Sequence, residues 1–87
     1  KSQNQKEFIA NKELQKKQRK LKRQVDDLES QLDTAQKDKT AIEAEMVKPE
    51  NLNDIGKLND LQAKLTDINA KIEEIETDWE NAMMELE

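Results

Sequence analysis

Lys12, Lys16, Arg19 and Arg23 recur at i, i+4, i+7 and i+11 with Lys20 beside them, a spacing that gathers cationic side chains on one face of an α-helix. At 1.5 Å of rise per residue the stripe covers ~16 Å, enough for several contacts along a phosphate backbone. The chemistry is ionic and sequence-independent. No aromatic residue interleaves the stripe, so base stacking has no platform and phosphate contact is the mode that remains. The competing reading is a solvated helix face that balances acidic charge elsewhere in the chain.

Few other residues invite chemistry. The chain has 87 residues, no histidine and no cysteine, which removes imidazole acid/base work, thiol chemistry, disulfides and the usual zinc sites, and which fits a reducing cytoplasm. The acidic run Glu73, Glu74, Glu76, Asp78, Glu80, Glu85 and Glu87 offers many carboxylates. None has a histidine, a glycine turn or a cavity beside it, so the run reads as a solvated face, with no metal site and no acid catalyst. A single glycine leaves no phosphate-cradling loop. The segment is therefore expected to hold no active site and no cofactor. No apolar run has the length of a membrane span, and no signal-peptide core is present, so no membrane partner is expected. Lys1 in place of Met reads as a segment of a longer protein.

Charge is divided unevenly. Residues 1–25 hold nine Lys/Arg against two acids, a balance of +7, whereas the remainder holds six Lys against eighteen acids, a balance of −12. An anion-facing arm on an acidic body is the arrangement this implies.

The elements that must position the arm follow from the apolar pattern. Leu14, Leu21, Val25, Leu28, Leu32, Ala35, Ile42 and Met46 advance by threes, fours and whole heptads up to Pro49, and Leu58, Leu61, Leu65, Ile68, Ile72, Ile75, Trp79, Ala82 and Leu86 do the same after it. Each set forms one helix stripe that needs an apolar cover, and two stripes joined by a short connection cover each other. With 33% hydrophobic residues, one Phe, one Trp and no Tyr, a seam between two helices is about all the chain can bury. The expected fold is all-α, a two-helix antiparallel intramolecular coiled-coil hairpin, monomeric. Residues 1–10 are polar and basic, with Phe8 and Ile9 off register, and read as a frayed approach segment. Helix 1 is expected over about 11–47, a tip over 48–53 around Pro49, and helix 2 over about 54–87, capped by Asn53 or Asp54 with Gly56 in its first turn.

Flanking charges favour a layering with Leu21 opposite Trp79 and Leu14 opposite Leu86. It brings Lys17 near Glu85, Lys22 near Glu76, Asp38 near Lys64 and Glu45 near Lys57. The layering one heptad along sets Leu21 opposite Leu86 and brings Glu29 toward Glu76. Such exposed pairs are worth only ~0.2 to 1 kcal/mol each, so they select a register more than they stabilise the fold. Gln18 and Lys39 occupy seam positions; Gln18 is expected to face Ala82, and Lys39 to send its amine out to water along its aliphatic stem.

Asn11-Lys12-Glu13, Arg19-Lys20-Leu21-Lys22-Arg23, the leucine heptads, Pro49-Glu50 with Asn53-Asp54 before Lys57-Leu58, and Asp78-Trp79-Glu80 together resemble the C-terminal coiled-coil extension of ABC-F ATPases, the Uup-like soluble members of the ABC superfamily. The resemblance runs from about Asn11 to Glu87. It implies a parent with two nucleotide-binding domains and no membrane domain, acting through ATP on the ribosome or on nucleic-acid structures, with the hairpin as a nucleic-acid-binding appendage (DNA, or ribosomal or transfer RNA) outside the ATPase site. Where that family commonly has an aromatic residue at the tip this chain has Leu52, and it has Ile55 and Gly56 in place of a proline or histidine with an acid. The implied binding role is therefore carried onto the basic helix alone, at Lys12, Lys16, Arg19, Lys20 and Arg23.

Overall fold

The computed structural model describes residues 2–86, and the side chains of residues 11–86. Helix α1 spans Ser2–Met46, a 3-10 turn spans Pro49–Asn51, and helix α2 spans Ile55–Leu86. The helices pack side by side as an all-α helical hairpin, and the Cα atoms extend over 78 × 15 × 14 Å. The seam is the expected one in composition: Leu21, Val25, Leu28, Ala35, Leu61, Ile72, Ile75 and Ala82 are buried. Leu32, Ile68, Trp79, Met83 and Leu86 pack against it partly covered. Threonines inside the helices satisfy their hydroxyls on the carbonyl four residues back, as Thr34 does on Ser30 at 3.2 Å and Thr77 on Glu73 at 2.9 Å.

Helix α1 departs from expectation at its start. Residues 2–10 belong to the helix rather than to a frayed approach. Gln3, Gln5, Lys6, Glu7 and Ala10 are good helix formers uninterrupted by proline or glycine, so propensity carries the helix past the point where the heptads stop.

The layering also differs, and this changes what the N-terminal half presents. The Trp79 indole N–H donates to Glu29 Oε1 at 3.1 Å across the hairpin. With Trp79 opposite Leu21, Glu29 would stand two turns away, ~12 Å along the axis. Leu14, expected to meet Leu86, is 54% exposed, while Leu86 packs on the core cluster. The seam is thus displaced by one heptad, with Leu21 opposite Leu86 and Leu28 opposite Trp79. In the expected layering Leu61 would have faced Lys39, and Met46 would have faced Asp54; the displacement sets Leu61 against Met46, and Leu61 is buried. Burying an apolar pair at the tip outweighs flanking charge pairs worth under ~1 kcal/mol. Accordingly, the expected ion pairs Lys17–Glu85, Lys22–Glu76, Asp38–Lys64 and Glu45–Lys57 are not made. Among the described residues, ion pairs form only within α1 (Lys37–Asp33, 3.1 Å) and at the tip (Lys48–Glu45). Gln18 is exposed and does not face Ala82, whereas Lys39 is half-buried as expected.

The tip is built around Asn51. Lys48 is extended, as a residue before proline must be, and Pro49 opens the 3-10 turn. The turn folds Asn51 inward until it is 2% exposed, where its Nδ2 donates to the Glu45 carbonyl oxygen at 2.8 Å and to Glu45 Oε2 at 3.3 Å. The Glu45 carbonyl near the end of α1 thus accepts from a side chain as well as from the Lys48 backbone N–H at 3.3 Å. The Lys48 hydrogen bond, followed by weaker help from Asn51 and the charge of Lys57, holds the Glu45 carboxyl below its ordinary value. Asp54 is the N-cap of α2, its Oδ1 accepting the Lys57 backbone N–H at 3.1 Å.

Candidate nucleic-acid interface

Every described residue from Asn11 to Lys20 is exposed, including the seam positions Leu14 and Gln18. Leu86, the last described residue of α2, lies opposite Leu21, so no described residue of α2 stands beside Lys12, Lys16, Arg19 or Lys20, and Arg23 sits at the boundary. All five cations are exposed. Lys16, Lys17, Arg19, Lys20 and Arg23, together with the acid Glu13, line one shallow groove on the surface of α1. At 100° per residue this face is turned well away from the seam line through Leu21 and Leu28. Among the described residues, none of the five has a carboxylate within ion-pair distance.

The displaced layering removes Glu85, the flanking partner expected for Lys17. Lys17 is exposed and lines the groove on α1. Further up the rod, Asp38, Lys64, Asp67 and Lys71 alternate in sign around Ile42 and Ile68 in a second groove between the helices. The mixed charges make that groove a poor counterpart for a polyanion. Among the described residues no group of three or more acidic side chains is placed to hold a metal ion, and no helix is long and apolar enough to cross a membrane.

Comparison with protein families returns a match to the ABC transporter C-terminal domain over residues 16–83. The chain belongs to this family. Curated proteins and solved structures give no match. The stretch matched to the ABC transporter C-terminal domain takes in the whole seam from Leu21 to Ala82, the tip, and the basic residues Lys16, Arg19, Lys20 and Arg23, while Lys12 precedes it. Membership makes the hairpin an appendage of an ABC protein, associated with nucleotide-binding domains.

Proposed function

We propose that the hairpin is the nucleic-acid-binding C-terminal appendage of a soluble, cytoplasmic ABC-F ATPase, acting as a monomer through sequence-independent phosphate contacts from Lys12, Lys16, Arg19, Lys20 and Arg23. ATP hydrolysis belongs to the nucleotide-binding domains of the parent chain, and the appendage supplies affinity for DNA or for ribosomal or transfer RNA. The observation that carries this reading is the exposure of all five cations on one face of α1 that is turned away from the seam. Cations that served only to balance the acidic body would stand beside carboxylates. Titrating labelled duplexes and structured RNAs of unrelated sequence at rising salt tests the reading: binding that falls steeply and similarly for all of them supports it, and no binding at low salt refutes it.

A second reading, a structural spacer or protein-interaction hairpin, is favoured by a different observation. Val47, Leu52 and Ile55 at the tip are 72%, 57% and 72% exposed. Charged substitutions at these three positions separate the two readings, since they should leave polyanion affinity intact if the basic face binds.

A further inference from the structure

Moving α2 by one heptad along α1 exchanges apolar partners without uncovering them. Leu28 passes from Trp79 to Ile72, Leu32 from Ile75 to Ile68, and Ala35 from Ile72 to Leu65. Lys39, the half-buried cation of the seam, passes from Ile68 to Leu61, and its aliphatic stem suits either neighbour. Seven residues at 1.5 Å each make the movement about 10 Å.

The observed position is held where the sequence is not periodic. Asn51, 2% exposed, donates to the Glu45 carbonyl oxygen at 2.8 Å and keeps the 3-10 turn folded against α2, with Leu61 covered. The Trp79 indole N–H donates to Glu29 at 3.1 Å. Flanking charges oppose these contacts. Lys17, Lys22, Lys57 and Lys64 are exposed with no carboxylate within ion-pair distance, and the other layering brings Glu85, Glu76, Glu45 and Asp38 toward them. The connection is long enough to follow the movement. With Met46 level with Asp54, residues 47–53 need only cross the ~8–10 Å between helix axes, and seven extended residues reach about 23 Å.

Resting on the phosphate-binding reading above, we propose that the hairpin is a two-position slide whose catch is Asn51. Release of Asn51 lets α2 move one heptad, which carries Glu76, Glu80 and Glu85 about 10 Å toward the basic end of α1. Glu85 then stands beside Lys17 and Glu76 beside Lys22, so the acidic helix competes with a polyanion for the basic face. Occupancy of that face and the observed layering therefore favour each other, and the coupling runs in both directions.

The test places spin labels on the whole chain at Thr40→Cys and Asn81→Cys, which are exposed and off the seam in a sequence without cysteine. Thr40 is level with Asp67 in the observed layering and with Asp60 in the other, so the axial separation of the labels is about 21 Å or about 32 Å. With Asn51 in place, pulsed electron resonance should show the shorter distance alone. Asn51→Ala at low salt should move the main distance out by about 10 Å while the circular dichroism spectrum stays the same. High salt should bring it back by screening the flanking pairs, and so should inorganic polyphosphate at unchanged ionic strength. Adding Lys17→Glu and Lys22→Glu should hold the Asn51→Ala chain at the shorter distance, which distinguishes sliding from a loosened tip. A shorter distance that persists at low salt in Asn51→Ala, with or without Trp79→Phe to remove the second donor, overturns the slide. A longer distance that answers to salt but not to bound polyphosphate overturns the coupling to the basic face. Failure of polyphosphate to bind at all overturns the phosphate-binding reading, whichever distance is found.

Discussion

Trp79 and Glu29 join the two helices through a hydrogen bond, the indole N–H donating to a carboxylate oxygen at 3.1 Å. The bond gives a half-buried aromatic ring its polar partner and marks the axial position of α2 along α1. It also gives Glu29 a donor where charge counting alone had set it against Glu76.

Layering is directly testable because the chain contains no cysteine of its own. The pair Leu21→Cys with Leu86→Cys should oxidise to an intramolecular disulfide, and Leu21→Cys with Trp79→Cys should not, since a bridge usually requires Cα atoms ~4.4 to 6.8 Å apart. Mass spectrometry after mild oxidation distinguishes them. Efficient bridging of the second pair and not the first would restore the layering that the flanking charges favour.

Leu28 is buried in the middle of the seam. Leu28→Ala should cost about 2–4 kcal/mol in denaturant unfolding, a large share of the stability of a domain this small. If the seam is intramolecular, the melting temperature of the parent sequence should not move with protein concentration. A rise with concentration would mean that the stripes are covered between chains.

Asn51 holds the tip by donating to the Glu45 carbonyl oxygen from a buried position. Asn51→Ala leaves that carbonyl with only the longer bond from the Lys48 backbone N–H, at 3.3 Å, and should cost about 0.5–1.5 kcal/mol. The exposed neighbour Asn53, replaced by Ala, should change stability by no more than about 0.5 kcal/mol. Equal effects at the two positions would show that the hydrogen bond contributes little.

Gly56 lies in the first turn of α2 without a positive φ, and an added Cβ would meet only Asp54 Oδ1, at 3.7 Å. Gly56→Ala should therefore stabilise the hairpin by about 0.4–1 kcal/mol by restricting the unfolded chain. A loss of stability would mean that the turn needs the freedom of glycine.

Much of the fold can be read from the order of residues. The buried apolar positions from Leu21 to Ala82 all fall on the 3,4 pattern, and Pro49 marks the turn. The layering could not be read in the same way, because a slip of one heptad leaves nearly every apolar residue opposite another apolar residue. What separates the alternatives is the cover over Leu61 at the tip and a hydrogen-bond partner for Trp79, both of which depend on how the connection folds. The inward turn of Asn51 belongs to the same class: its type suits a turn, but its burial follows only from the path that Lys48 and Pro49 impose. The cationic stripe was legible from spacing, and its freedom from α2 was not. Both the standing of the stripe beyond the described residues of α2 and the loss of Glu85 as a partner for Lys17 follow from the displaced layering.

The most direct measurement is the salt dependence of duplex binding for the unaltered chain beside the variant with Lys16→Gln, Arg19→Gln and Arg23→Gln together. Glutamine keeps the helix, and these positions lie off the seam, so the circular dichroism spectrum should be unchanged. Removing three phosphate contacts should reduce the slope of log affinity against log salt by about 2.7 and weaken binding to unrelated sequences alike. Replacing Lys57 and Lys64 by Gln should do neither. An unchanged slope in the triple variant, with the loss appearing instead on substitution near the tip, would contradict the basic face of α1 as the binding surface.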